Sequence, residues 1–516
     1  MTADLEFFKR IFSTTLEFEK KFREKITIVA LLLLAVLARL RNLDSPISGS
    51  YTFRTTQTAW GIRSVADGAL SPFSIQTPVL GAPWKIPFEF PFFQIVAGLF
   101  SRSTGFSVEA SGRVISIAFF ILTAIIFYII CRKYFEFITS STVLIIFLFN
   151  SHNLEYGSSV LIEYCALFFA LLAFLLAYNY FESHDSKFLV YFFPAASLAA
   201  LVKITTSMIW VLIGVIVLAI IEKQKFKSSL LLFITAVVAH VPAYLWTRWA
   251  DHQKASSPMT EWLTSKNLQE WNFGTLKQRI FYFDWQRTLG NIFFPSVIGG
   301  TFLALGLLIL AVSFGKHRRA SFCFLVLFVS GPMIFTNLYF VHDYYWTAVL
   351  PAFLFIVGAG LEVLPTAWIE RGNPSNKQSN IFQVCVAVAI VVASWFSPYG
   401  MRHFDVFAKE GSISYSDDDI AIAVEILTKH TSSDDNIIIV GADWNPQILY
   451  FSDRKGLMIP NGWDPETTLK QIDSIAPYRY IYFYSDALVD ISFAQSVIGA
   501  SRLEAISNNL FRIETD

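Results

Sequence analysis

The sequence predicts a polytopic α-helical membrane protein carrying a soluble α/β domain at its C-terminal end. Three observations carry this: an apolar composition, about eleven apolar segments able to cross a bilayer, and a change to globular composition after about residue 398. Of the 516 residues, 54% are hydrophobic and 16% charged, with mean hydropathy +0.50. So few polar groups cannot clothe a soluble surface of ordinary design. Lys+Arg and Asp+Glu balance at 40 each, which excludes an electrostatic case for nucleic acid or an acidic partner.

The N-terminal stretch, through Lys25, mixes charges and lacks a short apolar core followed by a small-residue cleavage site, so it is expected to remain as a cytoplasmic helix against the membrane. Spans follow from the need to satisfy every backbone group in hydrocarbon, which takes about 20 mostly apolar residues. They centre on residues 26–43, 111–131, 138–150, 159–181, 188–202, 206–221, 228–249, 291–314, 321–340, 345–364 and 381–397. The stretch 87–105 is apolar but short, and is placed as an interfacial or re-entrant helix on the outer face.

Orientation follows from the cytoplasmic excess of Lys and Arg. With Lys9, Arg10, Lys20, Lys21, Arg23 and Lys25 inside, alternation also puts Arg132 and Lys133, Lys187, Lys223 to Lys227, Lys316 to Arg319, and Arg371 with Lys377 inside. The regions 44–110, 151–158, 250–290 and everything after about 398 fall outside. This sets the N-terminus inside and the C-terminal domain outside a cytoplasmic (inner) membrane. Cys131, Cys165, Cys323 and Cys385 all lie in or beside apolar runs, which argues against a disulfide framework.

In the region 398–516, Ile437 to Val440 and Tyr480 to Tyr484 read as buried strands, and Asp418 to His430 and Pro465 to Ile475 as helices. The stretch 441–456, GADWNPQILYFSDRKG, contains no nucleotide-binding glycine loop and reads as an ordinary solvated turn region.

A set of motifs in fixed order completes the reading. The first span ends in ALARLRNL, and the first outer loop holds FRTTQTAWGIRSVADG (53–68), then FEFP (88–91) with Glu89. GRVIS follows with Arg113, EYGSSVLIEY with Glu163, ALVKITT with Lys203 and VHDYYWTAVLP (341–351) with His342 and Asp343. This order resembles the C superfamily of multi-spanning glycosyltransferases (GT-C), in particular the protein O-mannosyltransferase-like and aminoarabinose-transferase-like enzymes. The likeness covers most of residues 27–365. It implies a GT-C-like membrane domain over 27–397 that moves a sugar from a polyprenyl phosphate to a glycan, lipid or protein acceptor on the outer face. One departure stands out: the family's first-loop aspartate is absent, and Arg54 occupies its aligned position.

The resemblance assigns roles residue by residue. Lys203, Arg54 and Arg113 are candidates to hold the donor phosphate, Arg by bidentate contact and Lys as a point charge. Glu163, Asp343 and Glu89 are candidate catalytic groups, with Gln57, Tyr344 and Tyr345 beside them. Glu89 with His342 could hold a divalent metal ion, although their spacing carries no metal signature. Against each stands a plainer reading. Cations at span ends commonly snorkel to water, and an exposed loop can hold His342 and Asp343 without purpose. Lys203 opposes the positive-inside bias and Glu89 and Glu163 lie within apolar stretches, which is costly without a role. The aromatic residues read as lipid-facing packing and interfacial belt, while Trp84, Trp285 and Trp346 face a sugar or the headgroups. The alternative function is a transporter or a non-catalytic protein that binds lipid-linked glycan during assembly.

Overall fold

The computed structural model describes residues 22–41, 43–47, 51–369, 376–408, 418–460, 462–464, 468, 478–484, 503–507 and 509–514. The N-terminal segment through residue 21, the basic loop around Arg371 and nearly all of the helix expected over 465–475 lie outside these residues. Among the described residues, five helices are long and apolar enough to cross a membrane: Val108–Arg132, Glu163–Ser183, Ile204–Ile221, Phe226–Lys254 and Gln378–Phe396. A sixth forms if Tyr282–Ile298 and Thr301–Ser313, bent by 82°, count together. Several other expected spans, at 138–150, 188–202 and 345–364, are shorter apolar helices, Phe137–Phe149, Lys187–Val202 and Leu350–Leu364. Five or six rather than about eleven helices therefore meet the length and composition of a full span.

The helices end where local chemistry ends them. Ser107 caps Val108–Arg132 by accepting from the Ala110 amide, and Glu109 sits in the first turn, where it complements the helix dipole. Helix Lys187–Val202 stops at Lys203, whose backbone is extended (φ −159°, ψ 100°), before Ile204–Ser207 begins the next span.

The loop expected on the outer side, 44–110, forms two packed helices, Thr52–Ala66 and Phe92–Thr104. The second is the short helix expected at 87–105, and its buried stripe of Phe93, Ala97, Gly98 and Ser101 faces the first. Gly98 permits that approach, since a Cβ there would lie 2.5 Å from the Val65 Cβ. The 151–158 region becomes a fully buried turn of helix, Ser151–Tyr156.

The C-terminal sheet has β1 (Asn436–Val440), β2 (Lys455–Ile459), β3 (Tyr478–Phe483), β4 (Leu503–Ala505) and β5 (Leu510–Ile513) in the order β2-β1-β3-β5-β4. β1 pairs in parallel with β2 and β3, while β3 with β5 and β5 with β4 are antiparallel. The continuous Ile-Ile-Ile-Val run of β1 is buried throughout, as a central strand covered on both faces requires. Helix Asp418–His430 covers this sheet, with Asp418 and Asp419 in its first turn and Lys429 and His430 in its last.

The open edge of β2 is covered by residues 78–81 of the loop 44–110. Gly456 N–H donates to Pro78 O (3.1 Å), Met458 N–H to Val79 O (2.8 Å) and Gly81 N–H to Gly456 O (3.0 Å). Helix Pro398–Ala408 packs on Ser151–Tyr156, so the connection from the last span to the sheet is held against the helical body.

Candidate functional site

Helix Thr52–Ala66 presents Arg54, Gln57, Thr58 and Gly61, at intervals of three and four, along one face. Arg54 Nη2 reaches both oxygens of Glu89 (2.7 and 2.8 Å), a bidentate pair, and Arg54 Nη1 donates to Gln57 Oε1. Burial disfavours charge at Glu89, but the Arg54 guanidinium outweighs it and holds the carboxyl below its usual range. The FEFP segment is pinned from two sides: Phe90 N–H donates to Leu201 O (3.0 Å) and Trp246 Nε1 to Phe88 O (2.9 Å). The first bond ties Glu89 to the end of the helix that leads into Lys203.

Lys203 Nζ donates to Glu163 Oε1 at 2.5 Å, and both side chains are 5% exposed. Glu163 opens helix Glu163–Ser183, where a carboxylate complements the dipole. The Lys203 ammonium also lies 3.7 Å from the Tyr345 ring centroid and 5.2 Å from that of Tyr344. Burial lowers its pKa, with Glu163 and Glu89 opposing and Arg54 adding to the shift, so the two ion pairs act on one another. His342 stacks on Tyr344 and Tyr345, with centroids 5.2 and 6.1 Å apart. Its pKa is lowered to about 4 by burial and then by the Lys203 and Arg54 charges, which leaves the imidazole neutral at pH 7.

Asp343 turns the other way. It accepts from Tyr156 (2.5 Å) and Tyr399 (3.1 Å), and lies 3.7 Å from His403 Nε2, while His403 Nδ1 contacts Glu155. Burial raises the Asp343 pKa. Tyr51 bridges the two clusters: its hydroxyl accepts from the Asp343 amide (3.0 Å), and its ring meets those of His342 and Tyr344 edge-on.

Thus eight of the sequence-selected residues converge: Arg54, Gln57, Glu89, Glu163, Lys203, His342, Tyr344 and Tyr345. Asp343 adjoins them but belongs to a neighbouring buried network. Arg113 stands apart, its guanidinium donating to the carbonyls of Leu43 (3.0 Å), Ser45 and Pro46 (2.8 Å), where it braces the start of the loop. Among the described residues no three His, Cys, Asp or Glu side chains are grouped to hold a metal ion, and Glu89 is paired with Arg54 instead of His342.

A partly open cleft lies beside Arg54 and Glu89, with Gln57, Gln94, Trp246, Trp249 and Gln253 in its lining. Its tryptophans come from helix Val241–Lys254, at the end of an expected span, and sequence analysis had treated such aromatics as belt residues. The signal was present in the spacing: Trp246, Trp249 and Gln253 share one helix face. Trp84, Trp285 and Trp346 do not line this cleft. Trp84 packs on Tyr478, Trp285 on Phe340, and Trp346 is fully buried with its N–H on Tyr339 O.

The stretch 441–456 is not a solvated turn region. Helix Gln447–Ser452 is largely buried and packs on Thr52–Ala66. Arg63 pairs with Asp453 (2.7 Å) and lies over the rings of Trp60 and Tyr450 (4.7 and 4.1 Å). The Tyr450 hydroxyl donates to Glu109 (2.5 Å), and Trp444 meets Phe53, Phe88 and Trp262. Apart from Arg63 over Trp60, sequence periodicity registers none of these contacts, because each joins segments far apart in the chain.

No family model and no curated protein matches the chain. Solved structures do. ArnT from Cupriavidus metallidurans superposes in the apo state with TM-score 0.57 at 12% identity, over 94% of this chain and 97% of that one. The same protein bound to undecaprenyl phosphate gives TM-score 0.56 at 11% identity, with the same coverages of 94% and 97%. The arabinofuranosyltransferase AftD from Mycobacteria gives TM-score 0.53 at 14% identity, over 88% of this chain and 35% of that one. The chain therefore shares the fold of these solved structures.

Proposed function

We propose that this GT-C chain transfers a sugar from a polyprenyl phosphate to an acceptor hydroxyl at the outer face of a cytoplasmic membrane, with its N-terminus inside. The observation that carries the reading is the meeting of two cations, buried Lys203 and half-buried Arg54, with two carboxylates, where Arg54 and Glu89 line an open cleft. A neutral four-charge cluster is a site that an incoming phosphate can re-pair. The likeness to an ArnT structure bound to undecaprenyl phosphate supports the same donor class.

In this mechanism Lys203 and Arg54 take the donor phosphate. Drawing Arg54 toward the phosphate releases Glu89, whose basicity then rises where the acceptor enters. The acceptor oxygen attacks the anomeric carbon, the carbon–oxygen bond to phosphate breaks, the polyprenyl phosphate leaves with the electron pair, and the acceptor proton passes to Glu89. The geometry favours Glu89 over Glu163, which is buried against Lys203, and over Asp343, which Tyr156 and Tyr399 occupy.

The test supplies purified protein with polyprenyl-phosphate sugars and acceptor extracts. Loss of transfer in Lys203→Ala and in Glu89→Gln is expected. Normal turnover by both Lys203→Ala and Glu163→Gln would remove the assignment, and undecaprenyl phosphate binding without any turnover would favour the non-catalytic assembly role.

A further inference from the structure

We propose that the cleft beside Arg54 and Glu89 is a binding site for an uncharged sugar ring, either the sugar of the donor or the terminal sugar of a glycan acceptor; this rests on the transferase reading above. The lining pairs aromatic faces with neutral hydrogen-bonding groups. Trp246 and Trp249 sit one turn apart with ring centroids 4.7 Å apart, and Phe73 meets Trp249 edge-on at 4.8 Å. The Trp246 indole is fixed by its bond to Phe88 O, so it is a preset wall. The apolar face of a sugar ring, with its C–H bonds, packs well on such surfaces at little entropic cost.

Two amides each leave one atom without a partner at this wall. Gln57 is 5% exposed and its Nε2 is buried with no hydrogen-bond partner, and Gln94 Oε1 is likewise buried and unpartnered. Both line the cleft. Native structures seldom leave buried polar groups unsatisfied, because each costs roughly 1–3 kcal/mol. One orphan is a donor and the other an acceptor, which is the pair that adjacent sugar hydroxyls satisfy.

Charge narrows the ligand further. Among the described residues the one carboxylate in the lining, Glu89, is doubly bonded by Arg54, and exposed Lys85 stands at the cleft. Until a donor phosphate draws Arg54 away, a cationic amino sugar finds no uncommitted anion there. Gly61 supports the arrangement, since a Cβ at that position would lie 2.8 Å from Gln94 Cγ and displace the amide.

The experiment uses the full chain in lipid nanodiscs, titrated with methyl glycosides of mannose, glucose, galactose and arabinofuranose and followed by saturation-transfer NMR and calorimetry. Saturable binding of at least one glycoside is expected, weakened about tenfold, the equivalent of about 1.4 kcal/mol, by Trp249→Ala and by Gln94→Leu and retained by Trp249→Phe. Absence of saturable binding for the whole panel, or binding indifferent to both Trp249→Ala and Gln94→Leu, would overturn the proposal. Adding undecaprenyl-phosphate mannose separates the sources: displacement of the glycoside assigns the cleft to the donor sugar, and simultaneous binding assigns it to the acceptor. Undecaprenyl phosphate binding and its dependence on Lys203 are measured on the same preparations. If that dependence holds while glycosides fail to bind, the cleft proposal falls and the transferase reading stands; the reverse outcome removes the transferase reading alone.

Discussion

Lys203 and Glu163 form an ion pair at 2.5 Å with 5% of each side chain exposed, and its energetic signature can be calculated in advance. Two charges removed from water at this depth are tolerated only together. Removing either partner strands the other, at a cost of roughly 3–5 kcal/mol, whereas removing both leaves no uncompensated charge and costs much less. Lys203→Met keeps an unbranched apolar stem against Tyr345 and deletes the ammonium; Glu163→Gln keeps the shape and deletes the charge. Equilibrium unfolding in mixed micelles of the wild type, both single variants and the double variant gives the coupling directly. The double variant is expected to be more stable than the sum of the single losses predicts by about 2 kcal/mol or more, within the range found for contacting residues. Additivity to within about 0.5 kcal/mol would refute the reasoning, because it would mean that water screens the pair and that no incoming phosphate has a desolvated lysine to capture.

Three further outcomes are expected. Gly98→Val would push a branched side chain into Val65 and the Ile62 carbonyl, which a Cβ would already approach at 2.5 and 2.8 Å; a loss of about 1–3 kcal/mol is expected by overpacking and is read as a lower melting temperature. Arg63→Ala removes an exposed ion pair with Asp453 together with contacts to Trp60 and Tyr450, so limited proteolysis is expected to cut between the α/β domain and the helical body several-fold faster, and an unchanged rate would show the contact to be idle. His342 has its pKa lowered from 6.5 to about 4, so the unfolded chain binds its proton more readily; that contribution to stability is intact above about pH 6.5 and is lost as pH falls toward about 4. His342→Gln is expected to flatten the pH dependence of stability in that window, and an identical slope in the variant would contradict the burial of the ring.

Much of the candidate site was legible in the sequence because ionisable groups in or beside apolar runs are expensive, and the expense marks them. Glu163 and Glu89 stood out for that reason and Lys203 because it opposes the positive-inside bias, and the ordered motifs added Arg54, His342, Tyr344 and Tyr345. Arg113 carried the same signal and turned out to brace backbone carbonyls, since cost marks a residue as used without saying by what. His403, Glu155 and Tyr399 were not selected, because nothing local distinguishes a histidine on helix Pro398–Ala408 from one in solvent until that helix docks on Ser151–Tyr156. The cleft-lining Trp246 and Trp249 were hidden among 13 tryptophans in a chain where aromatic residues usually face lipid.

By itself the sequence determined the solvent of the chain, the apolar helices, the short helix near 87–105 and a globular tail with a buried central strand, because those follow from local hydrophobicity and period. The tertiary structure alone decided which charges neutralise one another, how the short helices around Lys203 and Glu89 meet, and that the tail grips the first loop through β2 and helix Gln447–Ser452. Pairings of that kind join segments tens to hundreds of residues apart, and their energies depend on shared burial, a property that no single stretch of sequence possesses.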